Sequence, residues 1–327
     1  MIVVGLFGFL AGLLVLVSKS TSSETVDLRT AGSDATKPEP SPLHQKQWMH
    51  GAADCESDTD PAIDVFRADR TSYILRQNKC LSYEAPFIYL LFGEDRTLLL
   101  DTGATKSAAE FPLYRTVQSL LAEFGEAADR ELVVVHSHHH TDHYAGDSQF
   151  AGQPNVTIVE PTGAAMRDFF AFEQWPDDEA HLDLGGRRLT VIPTPGHQED
   201  AISLYDPHTR WLLTGDTIYP GYVIVKHWDA YTQSVARLAD FVHRHEVGAV
   251  LGAHIEMTDK PGEIYPIGTI YQPDEAPLVL ASDDIVALHA ALEQSDAPSK
   301  LLFDGFVVAP MGAMQRTVST VVGWFVK

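Results

Sequence analysis

Residues 131–146 read ELVVVHSHHHTDHYAG. A short β-branched run, Glu131 to Val135, passes straight into a segment that sets His138, His140, Asp142 and His143 within six residues. In extended chain, side chains two apart point the same way, so His138 and His140 can grip one cation together. Asp142 and His143 lie round the following turn and can face a second cation. Imidazole nitrogen and carboxylate oxygen suit zinc, which takes such ligands at about 2.0–2.2 Å.

Outward from this segment, more chemistry-bearing residues fall at the ends of later strands. His197 stands in TPGHQED after the run TVIPT, Asp216 closes RWLLTGD, and His254 closes AVLGAH. Each follows an apolar strand and begins a loop, which is where α/β sheets assemble active sites. The surrounding chain alternates between the two periodicities. TSYILRQ (71–77), APFIYLLFG (85–93), TLLLDTG (97–103), VTIVEP (156–161) and RRLTVIPTPG (187–196) predict strands. Residues 108–125, 231–245 and 284–294 carry helical apolar spacing. KLLFDGFVVAP (300–310) and MQRTVSTVVGWFV (314–326) predict closing strands. Buried strands mixed with helices imply sheets covered by helices, an α/β domain over about residues 48–327.

The ordered set resembles the metallo-β-lactamase superfamily, in the branch of glyoxalase II and lactonase-like metallohydrolases. Its H-x-H-x-D-H motif matches HHHTDH from His138, and its later motif positions match His197, Asp216 and His254. LLLDTGAT is similar to the family's early strand and loop, with Asp101 supporting the metal-binding loop from behind. The resemblance covers about residues 63–260 and implies an αββα sandwich with two metals at one edge. It further implies that His138, His140 and His197 hold one zinc, that Asp142, His143 and His254 hold the other, and that Asp216 bridges them.

From that resemblance follows a binuclear zinc hydrolase with two Zn2+ per chain. Two zincs about 3.5–4 Å apart share a water whose pKa falls towards about 7, and the resulting hydroxide attacks a carbonyl of a small molecule. Asp142 assists the leaving group. Tyr222 is the candidate hydrogen-bond donor to the oxyanion, in a substrate wall with Tyr219, Lys226 and Trp228. A bridging aspartate in TGD points to esters, thioesters or lactones, because the zinc β-lactamases typically lack a carboxylate there. The chain after His254 does not resemble the glutathione-binding extension of glyoxalase II. Three other readings stay open: β-lactam hydrolysis on the same site, a one-iron persulfide dioxygenase-like activity, and a non-catalytic zinc-binding protein. His139 alternates away from its neighbours and packs or faces solvent, and the His136 side chain sits behind the site.

The ends of the chain speak to compartment. Residues 1–17 carry no charged side chain and are followed by Lys19, which reads as a signal peptide or an N-terminal membrane anchor. Residues 18–47, rich in Ser, Thr, Pro and acidic side chains, read as a disordered linker. The protein is therefore expected to be exported, periplasmic or extracellular, with a membrane tether through residues 1–17 as one option. Cys55 and Cys80 are the two cysteines, and behind an export segment they are expected to form a disulfide. Lys and Arg total 23 against 45 Asp and Glu, a formal charge of -22. Such an acidic chain repels phosphate backbones, so no nucleic-acid partner is expected.

Overall fold

The computed structural model describes residues 25–29, 41–125 and 130–312. In chain order the elements are β1 (Thr25–Asp27), β2 (Ile63–Arg67), β3 (Ser72–Gln77), β4 (Phe87–Phe92), β5 (Arg96–Leu100), α1 (Leu113–Phe124), β6 (Glu131–Val135), α2 (Thr141–Tyr144), β7 (Val156–Ile158) and α3 (Gly163–Phe170). They continue as β8 (Ala180–Asp183), β9 (Arg188–Pro193), β10 (Ile202–Asp206), β11 (Trp211–Gly215), β12 (Tyr222–Val225), α4 (Trp228–Arg244), β13 (Ala249–Gly252), β14 (Val279–Leu280), α5 (Ser282–Glu293), β15 (Lys300–Leu302) and β16 (Val307–Pro310).

Two six-stranded sheets form, in the orders β2-β3-β4-β5-β6-β7 and β14-β13-β11-β10-β9-β8. Strand parity sorts their side chains into layers. Leu98, Leu100, Val133 and Val135 of the first sheet pack in one cluster with Val191, Leu204, Leu213 and Leu251 of the second. The alternate residues Leu99, Leu132 and Val134 turn outwards onto Leu113, Val117 and Leu121 of α1. On the other side, Leu212 and Val250 meet Val235, Leu238 and Phe241 of α4 and Leu288 of α5. The result is the αββα sandwich expected. A charge at Leu213 would enter the seam between the sheets, where burying one Leu contributes roughly 1.5–3 kcal/mol. Arg187 clamps the two sheets together: its guanidinium donates to Asp206 of β10, to the Phe92 carbonyl and to the Ser72 hydroxyl.

Several segments differ from the sequence reading. Helix α1 begins at Leu113, because Pro112 at its N-cap cannot continue a helix backwards. β2, α3, β8, β10, β12 and β14 are elements that periodicity did not single out. Within the stretch expected to be a linker, Thr25–Asp27 pairs in parallel with Lys300–Leu302, and Leu43 is buried in the central cluster with Trp48. An open edge of β15 gives the β-branched Thr25 and Val26 a partner, and Leu43 supplies an apolar anchor. Folded chain thus reaches back beyond residue 48. Residues 1–17, most of the expected linker and the strand expected at 314–326 lie outside the described residues. No helix among the described residues is long and apolar enough to cross a membrane. Cys55 and Cys80 are bonded, with their Cα atoms 5.3 Å apart, a loop closure worth about 3 kcal/mol in the chain-entropy model.

Candidate metal centre

The site lies where strands of both six-stranded sheets end together. β5 and β6 are parallel, as are β11 and β13, and β9 shares their direction through the antiparallel β10. Asp101 follows β5, His138 to His143 follow β6, His197 follows β9, Asp216 follows β11 and His254 follows β13. The edges are stitched together there. The Ile202 amide donates to the Ser137 carbonyl at 2.9 Å, and the Asp101 amide to that of Val135 at 2.8 Å. Gly215, at φ +50°, allows the close approach, since a Cβ built on it would fall 2.7 Å from that of Ser137.

The seven residues singled out by sequence converge. One donor atom from each of His138, His140, His197 and Asp216 lies within 4.8 Å of the others, and the same holds for Asp142, His143 and His254. Asp216 divides its carboxylate between the groups. Its Oδ2 is 3.8 Å from His138 Nε2 and 3.5 Å from His197 Nε2. Its Oδ1 is 3.6 Å from His143 Nε2 and 3.4 Å from His254 Nε2. Asp142 Oδ2 lies 3.4 Å from His143 Nε2 and 3.3 Å from His254 Nε2.

The rings are aimed by what holds their other nitrogens. His143 Nδ1 lies 2.9 Å from Asp101 Oδ2, His197 Nδ1 2.8 Å from the Ile224 carbonyl, and His254 Nδ1 2.9 Å from the Glu84 carbonyl. Asp101 also accepts from the Ser137 amide at 2.7 Å and the Ser137 hydroxyl at 2.9 Å. It sits in left-handed backbone at φ 69°, an uncommon conformation for a residue with a Cβ. With Nδ1 tied, each Nε2 points inward, the pattern of a metal-ligating imidazole.

A metal fits this donor set. His138 Nε2, His143 Nε2 and Asp216 Oδ1 are buried without a hydrogen-bond partner, a condition costly for a polar atom unless something else coordinates it. Three of the imidazoles are held in the neutral form that a ligand needs. Burial, reinforced by neighbouring imidazoles, pushes His138 well down and His140 to about 3, and burial lowers His197. All three are then neutral donors. Burial would also lower His143 and His254, but for His143 the carboxylates of Asp142, Asp101 and Asp216, and for His254 those of Asp216 and Asp142, reverse the direction. Burial would raise Asp142 and Asp216, and the adjoining histidines instead hold both well down.

A cleft of about 230 Å³ opens onto the cluster, walled by Tyr83, Tyr219, Tyr222, Ile224, Glu256 and Ile267. Tyr222, expected in the substrate wall, is there. Tyr219 is buried behind it, its hydroxyl donating to the Tyr222 carbonyl at 2.9 Å and its ring 5.5 Å from that of His254. Trp228 is not in the wall: it opens α4 and packs in the outer core, because the helix starts three residues earlier than its apolar spacing suggests. Lys226 is held by Glu199 at 2.9 Å and Gln198 at 3.2 Å.

Sequence reading missed several supports. His139 bonds the buried Asp200 at 2.6 Å, joining the motif loop to the loop of His197. His136 bonds Asp147 at 2.9 Å. Gln198 touches His140, a neighbour that its place directly after His197 could have suggested. The Glu84 and Ile224 carbonyls left no signal, since both act through backbone and stand 170 and 27 positions from the rings they hold.

The family model of the metallo-beta-lactamase superfamily matches residues 84–268. Among curated proteins the chain is similar to acyl-coenzyme A thioesterase MBLAC2 of Gallus gallus, 28% identical over 203 residues that cover 52% of this chain and 72% of that one. It is also similar to hydroxyacylglutathione hydrolase of Idiomarina loihiensis, 27% identical over 128 residues, 39% of this chain and 44% of that one. Among solved structures, the metallo-beta-lactamase FIM-1 from Pseudomonas aeruginosa aligns with a TM-score of 0.49 at 13% identity, over 74% of this chain and 99% of that one. A family match across more than half of the chain identifies it: the protein belongs to the metallo-beta-lactamase superfamily.

Proposed function

We propose that this member of a metallohydrolase superfamily is a binuclear zinc hydrolase that cleaves an ester, thioester or lactone of a small molecule. The observation that carries this is the division of the Asp216 carboxylate between two groups of donors, each with one imidazole, His138 or His143, whose inward Nε2 is buried and unpartnered. His138, His140 and His197 would hold one ion, Asp142, His143 and His254 the other, and Asp216 both. When bound, two zinc ions lower the pKa of a shared water from about 15.7 towards 7 and polarise a carbonyl oxygen.

The protein's own groups do the rest. Asp216 fixes the separation of the two halves from the end of β11. Asp142 is partly open to the cleft, where it can hold the proton that the departing alcohol or thiol takes up. Tyr222, on the wall, can donate to the oxygen that gains charge. The overall change adds water across the acyl C–O or C–S bond, giving an acid and an alcohol or thiol. The names of the two curated relatives, both thioester hydrolases, support this bond type. The Cys55–Cys80 disulfide favours an oxidising compartment, and we place the protein outside the cytosol on that basis.

Metal analysis combined with a panel of ester, thioester, lactone and β-lactam substrates tests the proposal. The expected result is about two zincs per chain and hydrolysis that a chelator abolishes and zinc restores. Activity surviving complete metal removal would refute it. One iron per chain with persulfide oxidation would establish the dioxygenase-like alternative instead.

A further inference from the structure

The cleft over the candidate metal centre, at about 230 Å³, is smaller than the roughly 300–1,000 Å³ of pockets that enclose a whole ligand. It admits the reacting end of a substrate and leaves the remainder at the mouth. The surface there is apolar. Among the described residues eight large apolar side chains are exposed, and five of them, Leu81, Tyr83, Ile267, Ile270 and Tyr271, lie on just two loops. Tyr83 and Ile267 of those loops line the cleft itself, so the apolar patch continues into the site. Ile267 is the most exposed of these apolar side chains, at 76%.

These loops are anchored. Gly51, at φ +79°, lies between them: a Cβ there would fall 1.9 Å from the Ile270 carbonyl oxygen and 2.9 Å from Lys79 Cβ. The Gln272 amide donates to the His50 carbonyl at 3.0 Å. Below, Arg76 grips both oxygens of Glu275 at 2.6 Å and the Met49 carbonyl at 2.9 Å. A lip held this way is ready for its ligand without an ordering cost.

Its charge is selective too. Beside Asp142 and Asp216, the acids lining the cleft are Glu84 and Glu256, and among the described residues no lysine or arginine lines it. Lys226 is taken by Glu199, and Lys300 sits 5.1 Å over the Tyr222 ring. Lys79 is buried behind the lip with its Nζ donating to the Tyr83 carbonyl at 2.9 Å, so an anionic group at the mouth, beyond reach of the metal ions, would meet Glu84 and Glu256 before it met a cation.

We infer that the substrate is an uncharged ester, thioester or lactone with an apolar arm, and that the lip of Tyr83 and Ile267 receives this arm. The inference rests on the hydrolase reading above and narrows it. The test uses the full chain loaded with zinc. From 4-nitrophenyl acetate to the octanoate, kcat/KM should rise at least tenfold, about half of what full burial of the added methylenes would give on a logarithmic scale being more than enough. An octanoate analogue ending in a carboxylate should fall at least tenfold below the neutral one. Octanoyl-coenzyme A should be no faster than the neutral octanoyl thioester of N-acetylcysteamine. Ile267→Ser should cut the octanoate-to-acetate ratio at least threefold and Ile267→Leu should restore it. A flat chain-length series on an active enzyme, or preference for the charged member of either pair, overturns the inference alone. No hydrolysis of any ester, thioester or lactone overturns the hydrolase reading together with it.

Discussion

The two halves of the metal centre share Asp216 and are otherwise built differently. The half formed by His138, His140 and His197 offers three imidazoles that burial keeps neutral, steadied by the Ile224 carbonyl and by Ser137. The half formed by Asp142, His143 and His254 contains its own carboxylate and rests on a second buried one, Asp101. One half would therefore bind through neutral donors placed by two loops, the other through charge. Substitutions should separate them according to what each depends on.

The largest effect is expected where the halves meet. Asp216→Ala removes the one side chain whose two oxygens face both groups, so kcat/KM should fall by roughly a thousandfold or more and zinc content below one per chain. Elemental analysis beside kinetics decides this; a variant that keeps two zincs would show that the halves do not need a bridge. Next come His197→Ala and His254→Ala, one from each half. Each should leave about one zinc per chain and reduce turnover by about a hundredfold. If both variants lost all metal, the division into halves would be wrong.

Asp101→Asn sharpens the comparison without touching a donor atom. The amide keeps the volume but presents N–H to His143 Nδ1, favouring the tautomer that puts a proton on the inward Nε2. Chelator competition should show affinity for the second ion lowered roughly 10–100-fold, with the three-imidazole half much less affected. Tyr222→Phe should cost about tenfold in kcat and leave zinc content unchanged, because the wall serves the substrate and not the ions. Unchanged kcat would remove Tyr222 from the oxyanion role.

The same contrast explains what could be read from sequence. The donor set was legible because metal ligation demands particular side chains, and these stand one to a few residues beyond apolar strands, as His138, Asp216 and His254 do. The layered fold was legible from the alternation of buried strands such as Leu98–Leu100 with amphipathic helices such as α4. The rest depends on partners far apart in the chain. The Glu84 carbonyl that aims His254 is 170 positions away, and a backbone oxygen carries no residue identity to recognise. Thr25–Asp27 read as linker because its strand exists only through the edge that β15 offers it. The apolar lip likewise emerges only when loops 80–84 and 266–272 are brought to one cleft.

The smallest of these effects concerns the pair His139–Asp200, of which sequence reading left His139 to pack or face solvent. Asp200 is 4% exposed, and its contact with His139 at 2.6 Å links the loop that carries His138 and His140 to the loop that carries His197. All three neutral donors hang on those two loops, whereas His254 hangs on neither. Asp200→Asn should therefore lower kcat/KM only about three- to tenfold, since the Ser137 and Ile224 contacts remain, and should weaken chelator resistance at the three-imidazole half. His139→Ala should do the same. If the two residues act by joining the loops, the double variant is no worse than either single one, because the second change has nothing left to break. Fully additive losses would mean that each acts alone, and that the three-imidazole half is positioned by its strands without this cross-link.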